Sequence, residues 1–225
     1  MRIDFHAHIL PATDHGCDSA EMARRQLDLA SSVGIEAIVA TPHFYPHQDT
    51  VEHFVERQFR GAAKLHSVLK ETDPQVFLGA EVLVCTGMER MTGLKYLCIE
   101  RTDHVILLEL PFHGVPEEIW ETICDIRDQG YQPVLAHLDR YDRTVIQRAL
   151  LLHVPFQLNA DAFHSVFNRK KWKSFVGQGV VYALGSDIHG ISPEAYSQFK
   201  WAISILGDDA DVLMKRTAKL LKLSN

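Results

Sequence analysis

The sequence has 225 residues, 46% hydrophobic and 23% charged, the balance of one globular domain with a real core and not of a disordered chain. A formal net charge of -6 speaks against a general nucleic-acid binder. No apolar run approaches the ~18 residues of a membrane span, the start MRIDFHAH lacks the basic and long apolar regions of a secretory signal, and the four cysteines show no CxxC spacing, so a cytoplasmic protein with reduced thiols is expected.

Along the chain, short apolar runs alternate with amphipathic segments. The first strand is expected at residues 2–5, followed by a helix that Ser19 caps and Gly34 stops. Strands at 37–41 and 76–84 flank a helix over 50–71. A strand at 105–110 leads to a helix over 116–129, and one at 133–137 to a helix over 142–152. Strands at 156–159 and 180–185 enclose a helix over 163–178, and helices over 193–206 and 208–223 complete the pattern. Pro116 and Pro193 fall where a first-turn proline is tolerated. Such alternation implies parallel pairing through crossover helices. Seven strands suit a closed or distorted barrel better than an open sheet, and no linker or repeat divides residues 1–225.

Thirteen histidines are the unusual count, and their placement carries the functional argument. His6 and His8 follow the first strand, His43 ends the second in ATPH, and Glu81 stands in the third in GAEV. Glu109 ends the fourth in LLEL, His137 the fifth in VLAH, and Asp187 and His189 follow the last in GSDIH. In a parallel barrel the C-terminal strand ends share one rim, where active sites are built. Residues two apart on an extended chain point to one side, so His6 and His8 can approach one ion, as can Asp187 and His189. Imidazole with carboxylate and no thiolate suits manganese, iron or zinc at a catalytic site. A lone strand-end histidine is usually a satisfied polar residue. The same residue types ending nearly every strand are different, because burying so many ionisable groups without ions is costly. His47, His53, His66, His104, His113, His153 and His164 lack this placement and are read as ordinary histidines.

In this order and spacing, HAHILP, IVATPH, LGAEV, AHLDRY, QLNA and GSDIH resemble the PHP (polymerase and histidinol phosphatase) superfamily. Within it they resemble the bacterial capsule and exopolysaccharide protein-tyrosine phosphatases. The resemblance implies an α/β fold, a distorted seven-stranded TIM-like barrel, with three divalent ions, manganese first and iron or zinc as alternatives. It places His6, His8, Glu81 and Asp187 on the first ion and Glu81, Glu109 and His137 on the second. His43, His189 and the residue before Gly16 fall on the third. There the family usually reads Asp-Asp-Gly, whereas this chain reads Asp14-His15-Gly16; His15 is taken as the ligand and Asp14 as its support. A second departure is AHLDRY in place of AHPERY, which retains Arg140. A third is HGISPEAYSQF, which lacks an arginine the family often has there.

The chemistry so implied is phosphomonoester hydrolysis by a metal-activated hydroxide. Arg140, whose planar fork matches phosphate, is the expected catalytic and substrate-binding cation; the alternative for it is an ion pair with Asp139 or Asp142. Phe44 and Phe112, with Tyr45 and Phe163, lie just beyond strand ends and are candidates to line a cleft for an aromatic ring. A cysteine-based route fails on paper. The residues six positions after the four cysteines are Ala23, Met91, His104 and Gly130, never arginine. The expected substrate is a phosphotyrosine protein, a bacterial tyrosine kinase of polysaccharide export; the alternative is a small-molecule phosphatase such as a histidinol phosphatase. The oligomeric state is left open.

Overall fold

The computed structural model describes residues 1–102, 104–112 and 114–223. Its strands are β1 (Ile3–Ala7), β2 (Ala37–Ala40), β3 (His43–Phe44), β4 (Gln75–Leu78), β5 (Glu81–Leu83), β6 (Val105–Glu109), β7 (Gln132–Leu135), β8 (Phe156–Asn159) and β9 (Val181–Gly185). The helices are α1 (Ala20–Ser32), α2 (Val51–His66), α3 (Glu117–Asp128), α4 (Arg143–Leu151), α5 (Val166–Gly177), α6 (Pro193–Leu206) and α7 (Asp208–Leu220). Local chemistry sets their starts. Ser19, Thr50 and Asp142 accept the free N–H groups of Met22, His53 and Val145 at the heads of α1, α2 and α4. Pro193 opens α6, where its missing N–H costs nothing.

The strand pairings are parallel. Every residue of β1 and β6 is buried, which is why these runs read as continuous apolar stretches: helices cover the outer face. The strands divide between two sheets, β1-β2-β4 and β3-β5-β6-β7-β8-β9. Among the described residues the pairing thus does not close the sheets into the seven-stranded, closed or distorted barrel that was expected. The strand expected at 76–84 is interrupted at Gly79–Ala80 between β4 and β5, and the one expected at 37–41 is β2 alone, with the two-residue β3 beyond Thr41–Pro42. Proline lacks the N–H a ladder needs, and Gly79 packs so closely under Ile99 and Val39 that its Cβ would sit 3.1 and 3.3 Å from them.

Between β1 and β9 a short link joins the sheets. Asp187 N–H donates to His6 O at 2.8 Å and His8 N–H to Ile188 O at 3.2 Å. Buried Asp4 sits beneath this link and accepts from Ser186 N–H at 2.8 Å and Ser186 Oγ–H at 2.6 Å. The link thus fixes the position of the segment that carries Asp187 and His189.

Candidate metal centre

Parallel pairing sends the C-terminal ends of the strands to one rim, and the polar residues meet there. His43 lies opposite Glu81 in the β3–β5 register, and Leu83 opposite Glu109 in β5–β6. His6, His8 and Glu81 are wholly buried, and His137 and Glu109 nearly so. One oxygen of Glu81 is the hub: Oε2 lies 3.2 Å from His6 Nε2, 3.3 Å from His8 Nε2 and 2.9 Å from His43 Nδ1. Its other oxygen meets His137 Nε2 at 2.6 Å. Asp187 Oδ1 stands 3.6 Å from His6 Nε2, 3.5 Å from His8 Nε2 and 3.6 Å from His189 Nδ1.

Among the described residues, four groupings have donor atoms close enough to share an ion: His6, His8 and Asp187; His6, Glu81 and His137; His43, Glu81 and Glu109; His8, His43 and His189. Their fit to divalent ions can be tested on the polar atoms themselves. Glu81 Oε2, His43 Nδ1 and His189 Nε2 are buried without a hydrogen-bond partner. The facing Nε2 atoms of His6 and His8 are 3.1 Å apart. Orphaned buried polar atoms within such groupings are expensive unless a cation satisfies them. The donor set fits.

Outer partners hold several rings with Nε2 inward. His8 Nδ1–H donates to Asp14 Oδ2 at 2.7 Å, and His189 Nδ1–H to the Asp187 carbonyl at 3.0 Å. Asp14 also accepts from His43 N–H at 3.0 Å and Gly16 N–H at 2.9 Å. His137 and Asp187 adopt positive φ, 56° and 52°, a region uncommon for residues other than glycine. Two of the candidate donors are thus held in strained turns by their surroundings.

Electrostatics follow from this packing. Burial opposes charge on Glu81, yet the His6 charge and the close ring nitrogens of His137, His43 and His6 outweigh it and hold its carboxyl well below the usual range. Glu109 is instead pushed up to about 7 by burial and by the neighbouring Glu81 charge. Burial and the His8 charge bring His189 down to about 4.

Beside the cluster opens a cavity of about 800 Å³ lined by His15, His43, Tyr45, Leu83, Glu109, Pro111, Phe112, Arg140, Asp187 and His189. Arg140 reaches into it from the turn after β7 and pairs with Asp187, not with Asp139 or Asp142. Phe112 is exposed on the cavity wall. Phe44 is elsewhere: it is fully buried and packs edge-on against Phe54 at 5.3 Å. Successive residues on a strand face opposite ways, so with His43 turned to the cavity Phe44 must enter the core. The expectation that Phe44 binds substrate is corrected on this ground. Phe163 is likewise a core residue.

His15 is exposed on the cavity wall, its ring 4.9 Å from that of His43 and 4.7 Å from that of His189. None of the four groupings includes it. Of the histidines read as ordinary, His53 pairs with Asp49 at the surface and His104 with the Thr102 carbonyl; His113 lies outside the described residues. Two residues of the site escaped the sequence reading altogether. Gln157 and Asn159, in the QLNA run, are buried directly behind His6 and His137. Their signal was a pair of amides two apart in an otherwise apolar strand.

Residues 2–197 match the CpsB/CapC capsular polysaccharide synthesis family. The chain belongs to that family. The tyrosine-protein phosphatase YwqE of Bacillus subtilis is 30% identical over 97% of this chain and 91% of its own length. The tyrosine-protein phosphatase CpsB of Streptococcus pneumoniae is 23% identical over 84% of this chain and 83% of its own. A solved structure from work on YwqE and CpsB, described as metal-dependent tyrosine phosphatases, superposes with a TM-score of 0.74 at 22% identity and covers 99% of this chain and 95% of that one. Histidinol phosphate phosphatase from Lactococcus lactis, solved with zinc, L-histidinol and phosphate, shares the fold at a TM-score of 0.56 and 14% identity, over 92% of this chain and 94% of that one.

Proposed function

We propose that this chain is a metal-dependent protein-tyrosine phosphatase of capsular or exopolysaccharide synthesis, acting in the cytoplasm on a tyrosine kinase of the export machinery. The observation that carries it is the convergence of the buried His6, His8, Glu81 and His137 with the part-buried Asp187 beside the open cavity. Full-length similarity to YwqE supports the substrate class. Three divalent ions, manganese first, fit the number of donors. His6, His8, Glu81 and Asp187 would hold one, Glu81, Glu109 and His137 a second, and His43, His189 and His15 a third. Bound ions of this kind supply a nucleophile from water at neutral pH and neutralise phosphoryl charge.

The chain's own residues do the rest. Arg140 contacts a non-bridging phosphoryl oxygen through its planar fork, and its pairing with Asp187 orients that fork. Leu83, Pro111, Phe112 and Tyr45 offer the cavity an apolar flank for the phenyl ring. Burial, with the charges of Glu109, Glu81 and Asp14, pushes the Tyr45 phenol up to about 12, so it stays neutral beside the substrate. We further read β2 with β3, and β4 with β5, as single interrupted strands, giving a distorted seven-stranded barrel that spans one domain over residues 1–225. The link between β1 and β9 supports this reading.

The test compares phosphate release from a tyrosine-phosphorylated peptide and from histidinol phosphate, with manganese-loaded and chelated protein. Preference for the peptide, lost on chelation, is the expected result. Preference for histidinol phosphate would overturn the substrate assignment and leave the metal centre standing.

A further inference from the structure

Strand β8 contributes no metal-type donor to the rim, yet it places two wholly or almost wholly buried amides, Gln157 and Asn159, against the cluster. Their orientation can be worked out from donors that have no choice. The backbone N–H of His137 can only donate, and it lies 2.9 Å from Gln157 Oε1. That atom is therefore the carbonyl oxygen, and the Gln157 amide nitrogen is the group 2.9 Å from Asn159 Oδ1. Asn159 Oδ1 is then an acceptor, which turns Asn159 Nδ2 toward Asp187 Oδ2 at 3.3 Å, and a carboxylate can only accept. Each assignment agrees with the next.

Two imidazoles end this chain. His6 Nδ1 lies 3.3 Å from Gln157 Oε1, and His137 Nδ1 lies 3.1 Å from Asn159 Oδ1. Both partners accept, so both Nδ1 atoms must carry the proton. We propose that Gln157 and Asn159 are positioning residues that lock His6 and His137 in the Nδ1–H form, so that both rings present a bare Nε2 to the metal site. The proposal rests on the metal-centre reading, because with no ion bound the two Nε2 atoms face Glu81 oxygens, 2.6 Å away at His137 and 3.2 Å away at His6, and a carboxylate can only accept. Space has been cleared for the device at Gly185, where a Cβ would lie 2.6 Å from Gln157 Nε2 and 2.5 Å from His6 Cβ.

The wiring predicts unequal consequences. Gln157 serves both rings, one directly and one by fixing Asn159. Asn159 serves His137 alone, because the His137 backbone N–H still orients Gln157 in its absence. Ring ¹⁵N shifts from long-range ¹H–¹⁵N correlation in zinc-loaded protein read the tautomers, and competition with a metal-binding dye reads zinc affinity. Wild type should show Nδ1–H and metal-bound Nε2 for both rings. Asn159→Leu should disturb the His137 signals and spare His6, whereas Gln157→Leu should disturb both; each should weaken zinc binding roughly 10- to 100-fold. An Nε2–H form at either ring in wild type would overturn the proposal, as would unchanged shifts and affinity in both variants. Should the variants fail to fold, the wild-type spectrum decides. Should wild type bind no zinc, the metal reading fails and the proposal falls with it, an outcome distinct from zinc bound with Nε2–H at either ring.

Discussion

Asp4 is the buried residue on which the rim rests, and its environment makes a definite pH prediction. Burial pushes its carboxyl up to about 6 despite hydrogen bonds from Ser186 and His6. A folded value above the ordinary 3.8 means the native state holds the proton more tightly than the unfolded chain does. Stability from this group is thus full below about pH 4, falls as pH rises to about 6, and is flat above that. The change is about 3 kcal/mol at 1.36 kcal/mol per unit. In metal-free protein, the stability of Asp4→Asn relative to wild type should rise by that order between pH 4 and 6. Urea unfolding at the two pH values measures it, and a pH-independent difference would show that Asp4 ionises freely. At the donors themselves the expectation is kinetic. His6→Ala and Asp187→Ala should lower turnover roughly 100-fold or more with the fold retained. Metal analysis and circular dichroism accompany the assay; full metal content with normal turnover would remove either residue from the ligand set. The aromatic pair separates by the same reasoning. Phe112→Ala should raise KM for aryl phosphates and leave stability alone. Phe44→Ala should cost roughly 3–5 kcal/mol of stability with KM unmoved, and the opposite pattern would put Phe44 back on the cavity wall.

Among the elements, the strand ends explain both what the sequence disclosed and what it hid. His6, His8, His43, Glu81, Glu109, His137, Asp187 and His189 were legible because period-two strands and parallel pairing convert sequence-distant residues into rim neighbours. The start of α1 was legible from its cap, with Ser19 in place as expected. The division into two sheets was not, since a tight contact at Gly79 interrupts the strand expected at 76–84 and the two-residue β3 lies past the proline at 42, outside the strand expected at 37–41. The alternation rule was sufficient to turn Phe44 away from His43; reading it as cleft-lining overlooked that rule. Gln157 and Asn159 were hidden for a chemical reason, because amides are not metal-type ligands and their value appears only once His6 and His137 lie beside them. Gly185 shows how closely β9 approaches this network. Adding a methyl group in Gly185→Ala forces His6 or Gln157 to shift, so a loss of roughly 1–3 kcal/mol together with weaker metal binding is expected. Gly177→Ala makes the control: it ends α5 with nothing within 4 Å of the added Cβ, and alanine in a helix should be neutral or stabilising. Equal effects of the two substitutions on stability and metal affinity would show that the clearance at Gly185 is immaterial.

At the scale of the whole molecule, the centre ties together strands from both sheets. β1 carries His6 into contact with Glu81 of β5, and Asp187 beyond β9 closes the ring of donors. Without cations, the four carboxylates of Asp14, Glu81, Glu109 and Asp187 are balanced by Arg140, which pairs with Asp187, by the proton that burial favours on Glu109, and otherwise by protonated histidines. That is a costly arrangement for buried groups. Ions that bind the native centre and not the unfolded chain must therefore stabilise the entire fold by mass action. At a metal concentration 100 times the dissociation constant the gain is about 2.7 kcal/mol per site, and a chain of this size shifts in Tm by about 2–4 °C per kcal/mol. Chelation should accordingly lower Tm by roughly 5–10 °C for each ion lost, and manganese should restore it in a concentration-dependent way. In His6→Ala the manganese response should shrink, because the strand that joins the two sheets no longer offers the shared nitrogen. Thermal unfolding followed by calorimetry, with metal content measured in each sample, gives the answer. If stripped wild-type protein melted at the loaded temperature, the ions would be passengers on the rim, and the unpartnered atoms of Glu81, His43 and His189 would need another explanation.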